Sequence, residues 1–376
     1  MTVLNRFYIP FLCVGLVVSG GLNSLLTKFQ DNQCVRNCDG SSPVFFNQPI
    51  FQTLQMFVGE MTVLLVFWSR KSKTGPVDAG IDNKPVVKGK QHLLLAIPAA
   101  CDIIASTLLN LSLVMIPVSI YQMTRGAIVF FVALFSVVFL GRKVTRLEWT
   151  SLAVIVLGVA VVGYSGQNNA LQTEKSSSPE HATESLFLGV SFIVLGLVFM
   201  AFQFISEEHI LTRWQVVPLG LVGFEGLFGS LITFSVLLFG HIVYGHANTD
   251  SILNLGQAFK DTVSNGNVLI SSLLIMASIA CFNCFGTSIT KHVSATSRST
   301  VDTCRTLLVW LASLTLGWES FKVLQLFGFF LLVVGTLVFN GAVEIPERYL
   351  PQYLLQDKNA EYKRLIDTVD EEVERF

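Results

Sequence analysis

The stretch "YQMTRGAIVFFVALFSVVFLGRK" (residues 121–143) decides the fold class, because it sets a single arginine into a long apolar run. The run extends from Pro117 to Leu140 and ends at a Gly-Arg-Lys sequence. About 20 residues of this kind cross the hydrocarbon core of a bilayer as a helix. Arg125 lies inside the run, and its guanidinium remains charged. The stretch therefore predicts a transmembrane helix with a fixed positive charge that some other group must balance.

The composition of the whole chain indicates a membrane protein. Of its 376 residues, 52% are hydrophobic and 14% are charged, whereas a soluble domain carries about 25% charged residues. The formal net charge is −1, so the chain lacks the basic excess that releases counterions from nucleic-acid phosphates. We expect a lipid bilayer around this protein and no nucleic acid as a partner.

Similar apolar stretches recur along the chain, and about ten of them are long enough to span a bilayer. Continuous rather than alternating hydrophobicity favours helices over barrel strands. The first stretch is long for a signal peptide and continues through Asn23 and Lys28, so it is interpreted as a span. The predicted fold is an all-α membrane protein with about ten transmembrane helices, at residues 7–29, 48–69, 92–114, 117–140, 147–165, 185–206, 217–240, 267–290, 294–316 and 323–343.

Lysine and arginine residues are divided unequally between the two sides of the predicted bundle. When successive loops are assigned to alternate sides, 17 of the 25 lie on the side of both termini and 5 lie on the other. Loops rich in lysine and arginine stay in the cytosol. We therefore expect both termini and the segment 70–91 to be cytosolic, and the loop 30–47 to be lumenal.

The second half of the chain resembles the first. The segment "LFSVVFLGRKVTRLEWTSLAVIVLGVAVV" (134–162) runs parallel to "LASLTLGWESFKVLQLFGFFLLVVGTLVF" (311–339) with a slip of one residue, and "FVGE" ending at Glu60 resembles "VGFE" ending at Glu225. A repeat of five helices must be inverted in the membrane, since five is odd. This predicts a first five-helix repeat at 7–165, a lumenal linker at 166–184, a second five-helix repeat at 185–343 and a cytosolic tail at 344–376.

Ionisable side chains lie near mid-depth in several predicted spans, where a charge costs at least about 2.5–3.5 kcal/mol. Arg298, Asp302 and Arg305 are spaced by four and three residues, so they share one helix face. These groups either form ion pairs that lock helices together or line a polar cavity whose arginines hold an anionic group. The candidate substrate-binding residues are Asn23, Glu60, Asp102, Gln122, Arg125, Gln203, Glu225, Arg298, Asp302 and Arg305.

Two of the seven cysteines, Cys34 and Cys38, share the predicted lumenal loop. That compartment permits disulfides, and the two residues are either bridged or free thiols. The loop supplies too few ligands for zinc. P-loop, HExxH and paired-aspartate intramembrane protease patterns are missing from the sequence, so no catalytic residue, metal or cofactor is expected.

Several segments resemble one known family. They are "MFVGE" (56–60), "AIPAACDIIASTLLN" (96–110), "SIYQMTRGAIVFFVALFSVVFLGRK" (119–143) and the region 294–341 that begins "SATSRSTVDTCRTLLVW". They look like the drug/metabolite transporter superfamily, with its EamA-like fold, and within it the F subfamily of solute carrier family 35, near the branch called member F6. The resemblance covers most of residues 7–343. The elements "QMTRGA" and "CRTLLVW" carry Arg125 and Arg305 into positions that this branch shares.

The resemblance implies a central cavity between two inverted five-helix repeats, with helices five and ten at the periphery, where they pack or dimerise. A homodimer is therefore one option. The expected function is secondary active transport of a small anionic or zwitterionic organic solute, coupled to protons or working by exchange. Segments resembling the nucleotide-sugar signatures FYNN and GALNK are missing, which speaks against a nucleotide sugar as substrate. A non-transporting scaffold or receptor is the main alternative, and a membrane-embedded enzyme is a weaker one.

The tail sequence "EYKRLI" (361–366) fits an acidic dileucine-type sorting signal formed by Glu361, Leu365 and Ile366. Motifs this short also arise by chance, and an amphipathic or disordered tail is the alternative. The resemblance places the chain near a branch associated with lysosome-like membranes. We therefore favour a vacuolar or lysosomal membrane over the Golgi, with a sorting adaptor as a partner of the tail.

Overall fold

The computed structural model describes residues 3–38, 43–74, 93–116, 118–142, 145–173, 179–245, 251–317 and 323–339, and helices make up most of them. The helices are α1 (Val3–Asp31), α2 (Pro49–Thr74), α3 (Ala96–Met115), α4 (Val118–Arg125), α5 (Ile128–Leu140), α6 (Arg146–Thr173), α7 (Pro179–Arg213), α8 (Pro218–Gly240), α9 (Leu255–Ser264), α10 (Gly266–His292), α11 (Ala295–Thr315) and α12 (Val323–Phe339). A π-helical turn, His241–Gly245, continues α8, and a hairpin joins β1 (Cys34–Arg36) to β2 (Val44–Phe45).

Six of these helices are long and apolar enough to cross a membrane, namely α1, α2, α3, α7, α8 and α10. The apolar helices α5 and α12 are shorter. Every predicted span overlaps a helix of the structure, which confirms the all-α membrane class. The basic segment at 75–92 and the tail with Glu361, Leu365 and Ile366 lie outside the described residues.

The predicted span at 117–140 is wrong in one respect, because the structure divides it into α4 and α5. The amide of Ala127 donates to the carbonyl of Thr124 at 3.0 Å, and the amide of Phe130 donates to the carbonyl of Ala127 at 3.0 Å. These bonds reach back three residues and tighten the helix locally. Gly126 allows the break because it has little preference for a helix interior. Arg125 is consequently the last residue of α4.

The predicted lumenal linker at 166–184 is helical in the residues that the structure describes. Helix α6 continues to Thr173, and α7 already begins at Pro179. Extending a helix costs less than nucleating one, and the sequence between Gly166 and Thr173 contains no glycine or proline that would end α6. The helical backbone therefore extends beyond the apolar part of both predicted spans.

A small β-hairpin marks one end of the bundle, which we call the disulfide end. The Sγ atoms of Cys34 and Cys38 are 2.07 Å apart, and β1 pairs with β2 in the antiparallel sense. Asn265, the residue before α10, donates its side-chain amide to the carbonyl of Cys34 at 2.9 Å. Arg36 lies 3.5 Å from Asp261 of α9. The hairpin therefore lies against the start of α10.

Helices from the two halves of the chain pack against each other in pairs. Helix α2 lies along α8 and α6 along α12, while α1 packs on α10 and α3 on α7. Glycine permits these close approaches, because a Cβ atom at Gly226 would lie 2.4 Å from the amide nitrogen of Met61, and one at Gly158 would lie 2.7 Å from the carbonyl oxygen of Gly328. Small residues let helices approach in this way.

Two glycines end helices in the same manner in the two halves. Gly141 follows α5 with a φ of 67°, and Gly317 follows α11 with a φ of 69°. Only glycine adopts this left-handed conformation without a steric cost, and it commonly ends a helix there. The two residues are the glycines of the aligned segments 134–162 and 311–339. The internal similarity of the sequence thus corresponds to a shared backbone conformation.

Candidate substrate cavity

Two adjoining pockets between the helices form the candidate cavity. The first contains about 460 Å³ of space outside the protein atoms, part of it open to solvent, and the second about 390 Å³. The pockets share the side chains of Met56, Ser106, Arg125, Met200, Ile279 and Phe282. Because these residues come from both halves of the chain, the cavity lies between the halves.

Three polar side chains of α10, at successive depths in the bundle, form hydrogen bonds with polar groups of other helices. Ser278 accepts a hydrogen bond from Asn23 at 3.2 Å, Asn283 donates to Glu60 at 2.7 Å, and Thr287 donates to Glu207 at 3.4 Å. These three positions of α10 span about 13 Å at 1.5 Å per residue. The polar network therefore runs from the middle of α10 towards the end opposite the disulfide.

Arg125 lies on the wall that the two pockets share. Its Nη1 atom donates to the hydroxyl of Tyr121 at 3.0 Å, and its Nη2 atom lies 4.0 Å from the sulfur of Met200. Its buried Nε atom has no acceptor. Among the described residues, no carboxylate oxygen lies within 4.0 Å of this guanidinium. Among the described residues, Arg125 therefore has no carboxylate in direct contact, and its positive charge lies beside the cavity.

Arg305 is paired within its own helix. Its Nε atom lies 2.8 Å from Asp302 Oδ1, and its Nη2 atom donates to Asp302 Oδ2 at 3.2 Å. Its Nη1 atom donates to the carbonyl of Gly20 and to Ser24 on α1. The guanidinium carbon lies 5.0 Å from the ring centre of Phe282, a cation–π contact. Asp302 thus serves Arg305, as their spacing predicts.

Arg298 forms the second buried ion pair, with a residue that the sequence analysis missed. Its Nη1 atom donates to Glu207 of α7, and both side chains are 1% exposed. Its Nη2 atom donates to Asn283 Oδ1 at 3.1 Å, and its guanidinium lies 4.0 Å from the ring centre of Phe204. The pair joins α7 to the first turns of α11, at the end away from the disulfide. Glu207 was missed because the predicted span ended at residue 206, one position short of it.

The amide residues of α1 and α7 take corresponding places. Asn23 donates to Ser278 and to the carbonyl of Ile275 on α10. Gln203 donates to Asp102 Oδ2 on α3 at 3.1 Å, while Ser106 donates to Asp102 Oδ1 at 2.7 Å. Each amide therefore ties its helix to the neighbouring helix of the other half, as the packing pairs predict.

The buried charges are divided into two regions of opposite sign. One region contains Arg125 and Arg305, with Asp302 as their nearest acid. The other contains Arg298 with Glu60, Asp102, Glu207 and Glu225, whose charges act on one another. If every group is ionised, the first region carries one excess positive charge and the second is strongly negative. Such an arrangement is costly in a bilayer unless ligands or protons balance it.

The structure brings most, but not all, of the predicted site residues to the cavity wall. Those that line it are Asn23, Glu60, Asp102, Arg125, Gln203 and Arg305. Glu225, Arg298 and Asp302 are buried at 1–2% exposure behind that wall. The side chain of Gln122 lies outside the described residues. The sequence analysis missed Tyr121 and Asn283, and only their positions next to predicted charges could have indicated them.

A mainly helical chain with apolar spans and a polar, charged cavity between its helices is consistent with the membrane transporter class. The sequence profile described as "Nucleotide-sugar transporter" matches residues 38–234. The chain belongs to this nucleotide-sugar transporter family, as a member similar to the F subfamily of solute carrier family 35. This confirms the resemblance found in the sequence, and the named relatives are carriers rather than enzymes.

Two of the relatives match nearly the whole chain, and a third matches less than half of it. An uncharacterized protein of Schizosaccharomyces pombe is 34% identical over 335 residues, which are 88% of this chain and 97% of that protein. Solute carrier family 35 member F6 of Homo sapiens is 33% identical over 339 residues, 89% of each chain. A UDP-N-acetylglucosamine transporter of Rattus norvegicus is 27% identical over 175 residues, 45% of this chain and 52% of that one.

A solved structure titled "Crystal structure of protein" has the same fold. It superposes with a TM-score of 0.52 at 12% sequence identity, and the match covers 88% of this chain and 95% of that one. At this identity the likeness concerns the fold alone.

Proposed function

We propose that this protein is a secondary active transporter that moves a small anionic or zwitterionic organic solute across an endomembrane. The observation that carries the proposal is the position of Arg125, on the cavity wall and without a carboxylate within 4.0 Å among the described residues. An arginine cannot lose its charge, and leaving it unpaired in a bilayer is costly. A carboxylate or phosphate of the solute would supply the missing anion.

The other groups around this position suit such a ligand. The Nη1 atom of Arg125 donates to the hydroxyl of Tyr121, and the Nε atom of Arg125 has no acceptor. A bidentate contact with a carboxylate or phosphate uses two donors of one guanidinium. Asn23 and Asn110 line the same pocket. Their side-chain NH2 groups donate to other protein atoms, so their Oδ1 atoms are the groups left to accept hydrogen bonds from a solute. The site therefore combines one strong anion contact with acceptors that suit a donor group of the solute, such as an ammonium.

Alternating access between two inverted five-helix repeats is the mechanism that we propose for transport. Secondary transporters with inverted repeats bind their substrate near the midplane and rock one repeat against the other. The pairing of α2 with α8 and of α6 with α12, together with the matching conformations of Gly141 and Gly317, supports a ten-helix arrangement of this kind. Either exchange of two solutes or co-transport of protons could drive the cycle.

Charge is the property by which the site narrows the class of substrate. The rat relative is named as a transporter of UDP-N-acetylglucosamine, which is itself an anion. The nucleotide-sugar signatures missing from this sequence argue for a different anion. Thermal-shift screening of anionic metabolites and amino acids on the purified protein, followed by counterflow in proteoliposomes, would identify the solute. A scaffold or receptor would bind a ligand in the first assay without exchanging it in the second.

Arg125 is tested by two substitutions. Arg125→Lys keeps the charge but loses the planar fork, and Arg125→Ala removes both. Charged hydrogen bonds contribute about 1.5–3 kcal/mol, so we expect solute binding to weaken about tenfold or more in both variants. Because no described carboxylate lies within 4.0 Å of the Arg125 guanidinium, the thermal stability of both variants should remain close to that of the wild type. Arg142→Lys, which alters an exposed arginine outside the cavity, is the matched control.

The contrary results for Arg125 are equally specific. Wild-type counterflow by Arg125→Ala would show that the arginine does not bind the solute. A loss of several kcal/mol of stability in the same variant would show that a protein carboxylate depends on it.

We further propose a vacuolar or lysosomal membrane, with both termini in the cytosol. The distribution of lysine and arginine supports the orientation, and antibody access to a C-terminal tag before and after permeabilisation measures it. The dileucine-type sequence supports the compartment. Replacing Leu365 and Ile366 with alanine should redistribute the protein to the cell surface or Golgi in fluorescence microscopy. Unchanged localisation would show that the sequence is not a sorting signal and that no adaptor reads it.

A further inference from the structure

The negative region of the cavity contains more buried carboxyl groups than its single arginine can balance. Glu60, Asp102, Glu207 and Glu225 come from four different helices, and their relative exposures are between 0 and 7%. Arg298 is the cation close enough to act on all four. These carboxyls therefore cannot all be ionised at an acceptable cost.

The four carboxyl groups differ in the number of hydrogen-bond donors that contact them. Glu207 is ion-paired with Arg298 through Oε2, although its Oε1 atom has no partner, and Asp102 accepts hydrogen bonds from Ser106 and Gln203. Glu60 accepts one bond, from Asn283 to Oε1, while its buried Oε2 atom has no partner. The buried Oε1 atom of Glu225 also has no partner in the part of the chain that the structure describes.

The surroundings of Glu225 contain further negative groups. It is the only ionisable residue of α8. The charged groups that act on it are Glu60 on α2, Asp102 on α3, Glu207 on α7 and Arg298 on α11. Cys284 of α10 packs beside Val222 of α8. Burial without donors, next to other acids, favours the neutral form of a carboxyl group. A proton is therefore the ligand that this position can hold.

We infer that Glu60 and Glu225 form a proton-binding site, in which both carboxyls are protonated in the conformation described here. Glu60 lines the second pocket, so it is the member that exchanges its proton with water in the cavity. Glu225 lies behind it, where α8 crosses α2 at Gly226. In exchange, the O–H bond of the Glu60 carboxyl breaks, and the proton passes to a water molecule of the cavity.

Loss of that proton also affects a helix contact. Asn283 donates to Glu60 and accepts from Arg298, so it connects the Glu60 carboxyl to the ion pair between Arg298 and Glu207. An ionised Glu60 attracts Arg298 and competes with Glu207 for it. The protonation state of Glu60 thereby acts on the contact between α7 and α11. In the proposed transporter, this gives protons a route to influence opening at that end of the bundle.

Infrared spectroscopy of the purified full-length protein tests the proton site directly. The C=O stretch of a protonated carboxylic acid is separate from the bands of carboxylates. We expect the wild type to show such a band at neutral pH, to lose part of it as the pH is raised, and to lose one component each in Glu60→Gln and Glu225→Gln. Glu148→Gln, at a partly exposed residue near Arg142, should leave the band unchanged.

Two results would overturn the inference: no carboxylic-acid band in the wild type at neutral pH, or a band that neither glutamine variant alters. If a glutamine variant does not fold, the corresponding aspartate variant is used instead. Aspartate keeps a carboxyl group, so it should shift the frequency of that residue's carboxylic-acid band rather than remove the band. An aspartate variant with an unshifted band counts against the site. The pH titration needs no solute, so a negative infrared result leaves the proposal for Arg125 intact. If the carboxylic-acid band is present but counterflow is not observed, the proposed transport is refuted and the proton site is not.

Discussion

Replacing Arg298 with methionine is expected to lower the free energy of unfolding by about 3–5 kcal/mol, because Glu207 would be left as an unpaired charge in the protein interior. Both members of the pair are 1% exposed, so water cannot take the place of the arginine. Asn283 would also lose the group to which its carbonyl is bonded. Thermal and denaturant unfolding of the purified protein in detergent would measure the loss.

A double variant shows whether the loss comes from the unpaired charge. Adding Glu207→Gln to Arg298→Met removes that charge, so we expect the double variant to recover much of the stability lost by the single one. Arg142→Met is the control, because its arginine is 42% exposed and 3.9 Å from Glu148; such pairs contribute about 0–1 kcal/mol. Equal stabilities of Arg298→Met and the wild type would show that the ion pair does not hold the two helices together.

The second large effect is expected where α8 crosses α2. A side chain at Gly226 would place its Cβ atom 2.4 Å from the Met61 nitrogen and 2.7 Å from the Glu60 carbonyl carbon, both backbone atoms that cannot turn aside. Gly226→Ala should cost about 1–3 kcal/mol by overpacking, and Gly226→Leu should prevent the two helices from meeting. We expect little monodisperse protein from Gly226→Leu in size-exclusion chromatography.

Gly266→Ala is the matched control, because a Cβ atom there meets nothing within 4 Å. Alanine at an open helical position is neutral or stabilising by about 0.4–1 kcal/mol. Normal yield and stability of Gly226→Leu would mean that α2 and α8 do not approach each other as closely as described.

The sequence predicted those features that depend on one helix at a time. Apolar runs locate the helices, and the spacing of Asp302 and Arg305 predicts their pairing, because both properties repeat along a single segment. The break between α4 and α5 after Arg125 depends on the backbone conformation that tertiary packing imposes at Gly126. A hydrophobicity pattern contains no information on that conformation.

Contacts between helices were harder to foresee. Arg298 could have paired with any of several acids, and its actual partner, Glu207, lies just beyond an apolar run, where a charged residue looks like the end of a span. Glu60, Asp102 and Glu225 were candidates to balance Arg125, yet among the described residues no carboxylate oxygen lies within 4.0 Å of its guanidinium. The depth of a side chain in the bilayer can be inferred from its own segment. The direction in which that side chain points, relative to a helix distant in the sequence, cannot.

The pairing of α2 with α8 and of α6 with α12 bears on the ancestry of the chain. In each pair, the two helices contain segments of sequence that resemble each other, around Glu60 and Glu225 in the first pair and within 134–162 and 311–339 in the second. Two copies of a shorter polypeptide, inserted in opposite directions, make contacts of this kind about a two-fold axis. One gene of about half the length, duplicated and fused, would have brought both contacts with it. Asn23 and Gln203 take corresponding places but bond to different side chains, Ser278 on α10 and Asp102 on α3, so their partners are then places where the two copies have drifted apart.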